Sequence, residues 1–190
     1  MIKLATLLRE IGENTAEAYT ARKVEIKEDR TKYSFETDSG LTYRVVIAKT
    51  IQDLDSEGNL NNEVAYDVSF GVVNFVDKED YDAEVNDPKN LFRVMATVIN
   101  VTKEEITEDE TVNGKKVVAI YITPSKTKKD KNTGEITYDP SDYRRYKLYR
   151  ALIEKNAPLG STVEEVGSQL VINLPEERPL EWKKDEQNPQ

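Results

Sequence analysis

The chain has 190 residues, a formal net charge of −9, and neither histidine nor cysteine. Those two side chains carry most near-neutral proton transfer, much covalent nucleophilic work and most transition-metal ligation. Their joint absence excludes Ser-His-Asp and Cys-His machinery, zinc sites and disulfide frameworks. At 37% hydrophobic and 33% charged residues the chain suits one domain with a buried core, and no run reads as a membrane span or signal peptide.

Taken from the start, Ile2, Leu4, Leu7, Leu8 and Ile11 fall on one helical stripe, which Gly12 ends. A helix this short must dock on the domain's own sheet or on a neighbouring chain. From Arg22 the period changes to two. Val24 and Ile26, then Tyr33 and Phe35, alternate with charged residues around Glu28-Asp29-Arg30 and predict a hairpin. Asp38-Ser39-Gly40 predicts a tight turn, with a strand from Leu41 to Ile51 and another from Val64 to Val76. Gly71 within the latter suggests a bulge or a close backbone approach.

Asp87-Pro88 has the form of a helix start, with Asp as N-cap and Pro at the first helical position. Leu91, Val94, Met95, Val98, Ile99, Thr102 and Ile106 then keep helical spacing, against the strand preference of the β-branched residues among them. Asn113-Gly114 predicts a turn, and Val117 to Thr123 a central strand covered on both faces. Asn132-Thr133-Gly134 predicts the tip of a hairpin with arms at Lys126 to Lys129 and Glu135 to Tyr138. Asp139-Pro140 repeats the helix-start device before a helix from Tyr143 to Asn156. A last hairpin runs from Thr162 to Val166 and Gln169 to Leu174 about Gly167-Ser168, followed by a polar tail. The expected class is α+β, a mostly antiparallel sheet of hairpins with about three amphipathic helices. The expected organisation is a docking helix over 1–12, a single domain over 13–175 and a tail over 176–190.

Charge is segregated along the chain. Residues 53–87 hold eleven acids against one lysine, a net of −10, and residues 126–150 hold eight bases against four acids, a net of +4. Such a distribution favours steered association with partners or with copies of the same chain, although solvated loops also collect charge.

Two constellations carry possible chemistry. Asp53, Asp55, Glu57 and Asn59 alternate ahead of and behind Gly58 in the manner of a calcium loop, where hard oxygens converge around a sharp bend. The twelfth position is Val64, however, and the flanks read as strands, so a polar hairpin loop with local side-chain turns is the competing reading. A carboxylate magnesium site using Asp53, Asp55, Asp67 and Asp77 is a further alternative. The second constellation is the helix after Asp139-Pro140. Tyr146, Tyr149 and Ile153, beside Leu148 and Leu152, form an apolar stripe, while Arg144, Arg145, Lys147 and Arg150 make its remaining faces basic. Interleaved bases and tyrosines suit an acidic protein partner or a nucleic-acid backbone; nucleic acid is the less favoured because the whole chain is acidic. The acid pairs Glu104-Glu105 and Glu164-Glu165 are consecutive and do not face each other, so no catalytic carboxylate pair is assigned.

Leu91-Phe-Arg-Val-Met-Ala-Thr-Val98, Tyr121-Ile-Thr-Pro-Ser-Lys126 and Tyr143-Arg-Arg-Tyr-Lys-Leu-Tyr149, together with the opening Met1 to Ile11, resemble small proteins encoded by tailed bacteriophages. These are packing patterns spanning roughly residues 1–175, with no site residue to carry over. The resemblance implies a phage origin, in a virion or the host cytoplasm. The resulting expectation is a non-enzymatic virion-associated structural or assembly component that binds other phage proteins or itself, with no cofactor and no membrane partner. Two alternatives stand beside it: an inhibitor of a host defence or nucleic-acid enzyme using an acidic surface, and a carboxylate-metal enzyme acting on nucleic acid with calcium or magnesium.

Overall fold

The computed structural model describes residues 17–51, 62–73, 81–82, 90–122, 127–129, 136–138, 144–167 and 169–176. Four strands open the fold: β1 (Arg22–Ile26), β2 (Arg30–Glu36), β3 (Thr42–Ile51) and β4 (Glu63–Val73), each antiparallel to the next. The two-residue strand β5 (Tyr81–Asp82) pairs with the far end of β4. Helix α1 (Leu91–Thr111) then crosses to β6 (Lys116–Ile122), which lies parallel to β4. A small separate hairpin of β7 (Thr127–Lys129) and β8 (Ile136–Tyr138) precedes helix α2 (Arg144–Asn156). The chain closes with β9 (Thr162–Val166) and β10 (Gln169–Asn173), and β10 fits between β9 and β6. The main sheet therefore has eight strands in the order β1-β2-β3-β4-β6-β10-β9, with β5 beside β4.

The α+β class and the mostly antiparallel sheet agree with the sequence reading, and two helices are present among the described residues. The expected helix over residues 2–11, the tip at residues 132–134 and the tail beyond Glu176 lie outside them. Helix α1 begins at Leu91, after Asn90, whose side chain makes no capping hydrogen bond; the Asp87-Pro88 start lies outside the described residues. The helix continues to Thr111, past the last apolar position of its stripe, because the buried face is extended by carboxylates. Gly71 marks no bulge: it pairs with Arg44 in regular register, while the irregularities fall between Lys23 and Glu25 and between Val64 and Ala65. β6 is central, as expected, but Val118 and Tyr121 are only half-buried, so its cover is uneven.

Both helices lie on one face of the sheet. Period-two alternation puts Tyr33, Phe35, Tyr43, Val45 and Ile47 on that face, and Val64, Tyr66 and Val68 continue it on β4. Val94, Met95, Val98, Val101 and Ile106 descend from α1 onto this surface, and Leu148, Tyr149, Leu152 and Ile153 from α2. The apolar hollow left between α1, α2, β6 and β10 is about 30 Å³, room for a single water. At the start of α1, Tyr19, Phe35 and Tyr43 stack with ring centroids 5.7 and 5.3 Å apart. Arg93 lies 3.9 Å over the Tyr19 ring and donates from Nε to the Glu17 carbonyl, tying the incoming chain to the helix.

Candidate functional site

The C-terminal half of α1 is crowded with acids: Glu104, Glu105, Glu108, Asp109 and Glu110. No basic residue stands in its last turn, so these charges face the negative end of the helix dipole. Glu105 and Asp109, one turn apart, point into the sheet along the stripe that Val98 and Thr102 begin, and their side chains are only 3% and 1% exposed. Compensation comes from three neighbouring strands. Continuing the alternation of Tyr43, Val45 and Ile47 brings Lys49 of β3 onto the helix-covered face, opposite Tyr66 of β4. Thr31 and Tyr33 occupy the same face of β2.

The cluster is tightly satisfied. Lys49 Nζ lies 2.8 Å from Glu105 Oε1 and 2.8 Å from Asp109 Oδ2. Thr31 Oγ1 donates to Glu105 Oε1 and the Tyr33 hydroxyl to Glu105 Oε2, both at 2.6 Å. The Tyr66 hydroxyl donates to Asp109 Oδ2 at 2.6 Å, and Asn113 Nδ2 to Asp109 Oδ1 at 2.7 Å. Lys23 of β1 closes the outer side, 3.1 Å from Glu105 Oε2 and also paired with Glu108. A shallow opening of about 290 Å³ beside Lys49 is bounded by Glu28, Asp29 and Lys115.

This arrangement holds each group in its resting charge state. Burial pushes the Glu105 carboxyl up, but the hydrogen bonds from Lys49, Thr31, Tyr33 and Lys23 outweigh it and bring its pKa down to about 2. Asp109 is likewise lowered against its burial by Lys49, Tyr66 and Asn113. Lys49 is raised, because Asp109 and Glu105 overcome the burial that opposes its charge. Burial, reinforced by the adjoining carboxylates, raises the Tyr33 and Tyr66 phenols. A base near neutral pH needs a proton affinity near the working pH, and these shifts move every member away from it. The cluster is a lock between helix and sheet.

The basic helix is described in part. Leu148, Tyr149, Leu152 and Ile153 form the buried stripe of α2, with Lys147 and Lys155 exposed on its outside. Arg150 Nε pairs with Glu154 Oε1 at 2.7 Å, one turn along the same helix. Arg144 and Arg145 open α2, but their side chains, and that of Tyr146, lie outside the described residues. Asp53, Asp55, Glu57, Asn59 and Asp77 also lie outside them. The loop of the first four joins β3 to β4, whose ends pair at Ile51 and Val64. Its flanks are therefore antiparallel strands and not the helices of a calcium-binding hand. Asp67, on the sheet face away from the helices, is exposed as a whole, and partial desolvation of its carboxyl raises its pKa. Among the described residues no three acidic side chains converge as a metal site.

Sequence reasoning missed Lys49, Glu105 and Asp109. The available signal was spacing: positions 98, 102, 105 and 109 continue one helical stripe after the apolar residues stop.

The sheet's two outer edges form the other notable surface. On β1, Val24 is 46% and Ile26 69% exposed, and on β9 Val166 is 56% exposed. Neither described helix is long and apolar enough to cross a membrane. No family model matches the chain, and neither the curated proteins nor the solved structures provide a match.

Proposed function

We propose that the chain is a non-enzymatic protein of phage type that works by protein–protein contact, as a virion-associated structural or assembly component. The observation that carries this reading is the exposure of Val24, Ile26 and Val166 along both outer strands of the sheet. Isolated surface hydrophobes are ordinary, but apolar residues on a strand that is outermost among the described residues offer both main-chain hydrogen bonds and side-chain burial to a partner. The buried charges fit the same reading. Lys49, Glu105 and Asp109 engage one another and the sheet, in protonation states suited to holding α1 down.

The test is composition. Particles purified on a gradient from an infected culture and probed with antibody against this chain should contain it at a fixed ratio to the major structural proteins. Its absence from particles, combined with stoichiometric recovery of one host enzyme on the tagged chain, would overturn the reading in favour of an inhibitor.

A further inference from the structure

The two edges are complementary to each other. β1 and β9 have the same length, five residues. Between them the sheet path contains five antiparallel steps and one parallel step, so β9 runs antiparallel to β1. A second copy translated along the sheet would therefore set its β1 antiparallel to β9 of the first, continuing the sheet with the helices on the same side. Faces agree as well. Arg22 pairs with Ser34 and Val166 with Gln169, both on the face away from the helices, whereas Lys23 pairs with Tyr33 and Glu165 with Leu170 on the helix face.

Charge selects this pairing over a β9–β9 one. β9 carries Glu164 and Glu165 with no base, and β1 begins with Arg22 and Lys23. Two copies joined β9 to β9 would confront glutamates with glutamates, whereas β1 supplies the bases that β9 lacks. We propose that the chain assembles head to tail, β9 of one copy pairing antiparallel with β1 of the next, in the register that sets Val166 opposite Arg22 and Glu165 opposite Lys23. A heterologous contact of this kind extends into a filament or closes into a ring. The proposal rests on the contact reading above and commits it to one partner, a second copy of this chain.

The absence of native cysteine makes the register directly testable. Residues facing each other in an antiparallel pair have Cα atoms about 4.5–5.5 Å apart, within disulfide reach. The double variant Arg22→Cys/Val166→Cys should give a ladder of disulfide-linked multimers under mild oxidation, with neither single variant doing so. In mass photometry of the unmodified chain, multimers should weaken as salt rises from about 0.05 to about 0.5 M. Val166→Lys, at an exposed edge position opposite Arg22, should weaken association roughly tenfold. If either single variant cross-links as well as the pair does, the proposal is overturned in favour of a contact between like ends of two copies. A folded double variant that gives no ladder would overturn it too. If that variant is still found in particles, edge pairing fails while the contact reading stands; if the chain is absent from particles as well, both fail.

Discussion

Lys49 Nζ sits 2.8 Å from Glu105 Oε1, between a strand and a helix, with the two side chains only 7% and 3% exposed. An ion pair so enclosed gains little net stability over apolar residues of the same shape, because both charges have left water. Breaking it is a different matter. Removing Lys49 leaves Glu105 only the outlying Lys23 and takes from Asp109 the cation it pairs with.

Lys49→Met should therefore be strongly destabilising, by about 3–5 kcal/mol, since Glu105 and Asp109 both lose their central cation. Urea titration followed by circular dichroism should show a much lower midpoint with little change in slope. The triple variant Lys49→Met/Glu105→Gln/Asp109→Asn should be more stable than the single one, because it leaves fewer buried charges uncompensated. A single variant within about 1 kcal/mol of the parent would show that the cluster does not hold the helix.

The pH dependence follows from the directions of the shifts. Glu105 is held near pKa 2 and Asp109 below its ordinary 3.8, so the folded state binds fewer protons than the unfolded one in mild acid. Their contribution is present above the unfolded carboxyl range and is lost as pH falls through about 4 toward 2. At the alkaline end Lys49 is raised above 10.5, and its contribution is full below that value and lost as pH rises through its folded pKa. The raised Tyr33 and Tyr66 phenols act in the same direction above pH 10, where unfolded phenols ionise first. Melting temperature measured across pH should show a plateau from about 5 to about 9, falling on both sides. In Lys49→Met the acid limb should shrink, because the main depressor of both carboxyl pKa values is gone.

Tyr66→Phe removes the hydroxyl that donates to Asp109 Oδ2 while leaving the ring in place. A hydrogen bond to a buried carboxylate contributes more than a neutral one, so the loss should be about 1.5–3 kcal/mol. Tyr33→Phe should cost a similar amount through Glu105 Oε2. In the double variant the two losses should combine less than additively, since the carboxylates share Lys49. Thermal or urea unfolding of all three proteins checks this.

Much of the fold was legible because hairpins announce themselves locally. Tyr33 and Phe35, Tyr43, Val45 and Ile47, and Val64, Tyr66 and Val68 put every second residue into the core, and Gly40 and Gly167 adopt positive φ at the expected turns. The strand order was not legible, because placing β10 between β6 and β9 depends on contacts far apart in sequence. The charge cluster was hidden for a related reason. Glu105 and Asp109 look like solvated acids until Lys49, fifty-six residues before Glu105, arrives beneath them. The basic helix was half legible: its buried stripe follows from spacing, but pairing of Arg150 with Glu154 depends on rotamers that spacing leaves open.

Gly160 turns the chain from α2 into β9 with φ at +86°, a conformation other L-residues adopt at a cost. A Cβ built there would also meet the Pro175 side chain at 3.4 Å, an ordinary contact, so backbone strain is the larger effect. Gly160→Ala should destabilise by about 1–2 kcal/mol, read as a lower urea midpoint. Gly40→Ala, also at positive φ but in open space, gives the strain without the neighbour and should cost no more.

On the outer side of α2, Arg150 and Glu154 form a one-turn ion pair in which both side chains remain more than two-fifths exposed. Screening by water and salt keeps such a pair to about 0.3–0.5 kcal/mol, so Arg150→Ala should barely move the melting temperature. Lys147→Glu, also on the exposed side, should be equally mild for stability. The combination Lys147→Glu/Arg150→Ala thus separates folding from contact. If α2 meets an acidic partner, the variant should melt like the parent and bind that partner more weakly, with a shallower salt dependence. Parent-like binding at every salt concentration would remove α2 from the interface and leave the sheet edges to carry it.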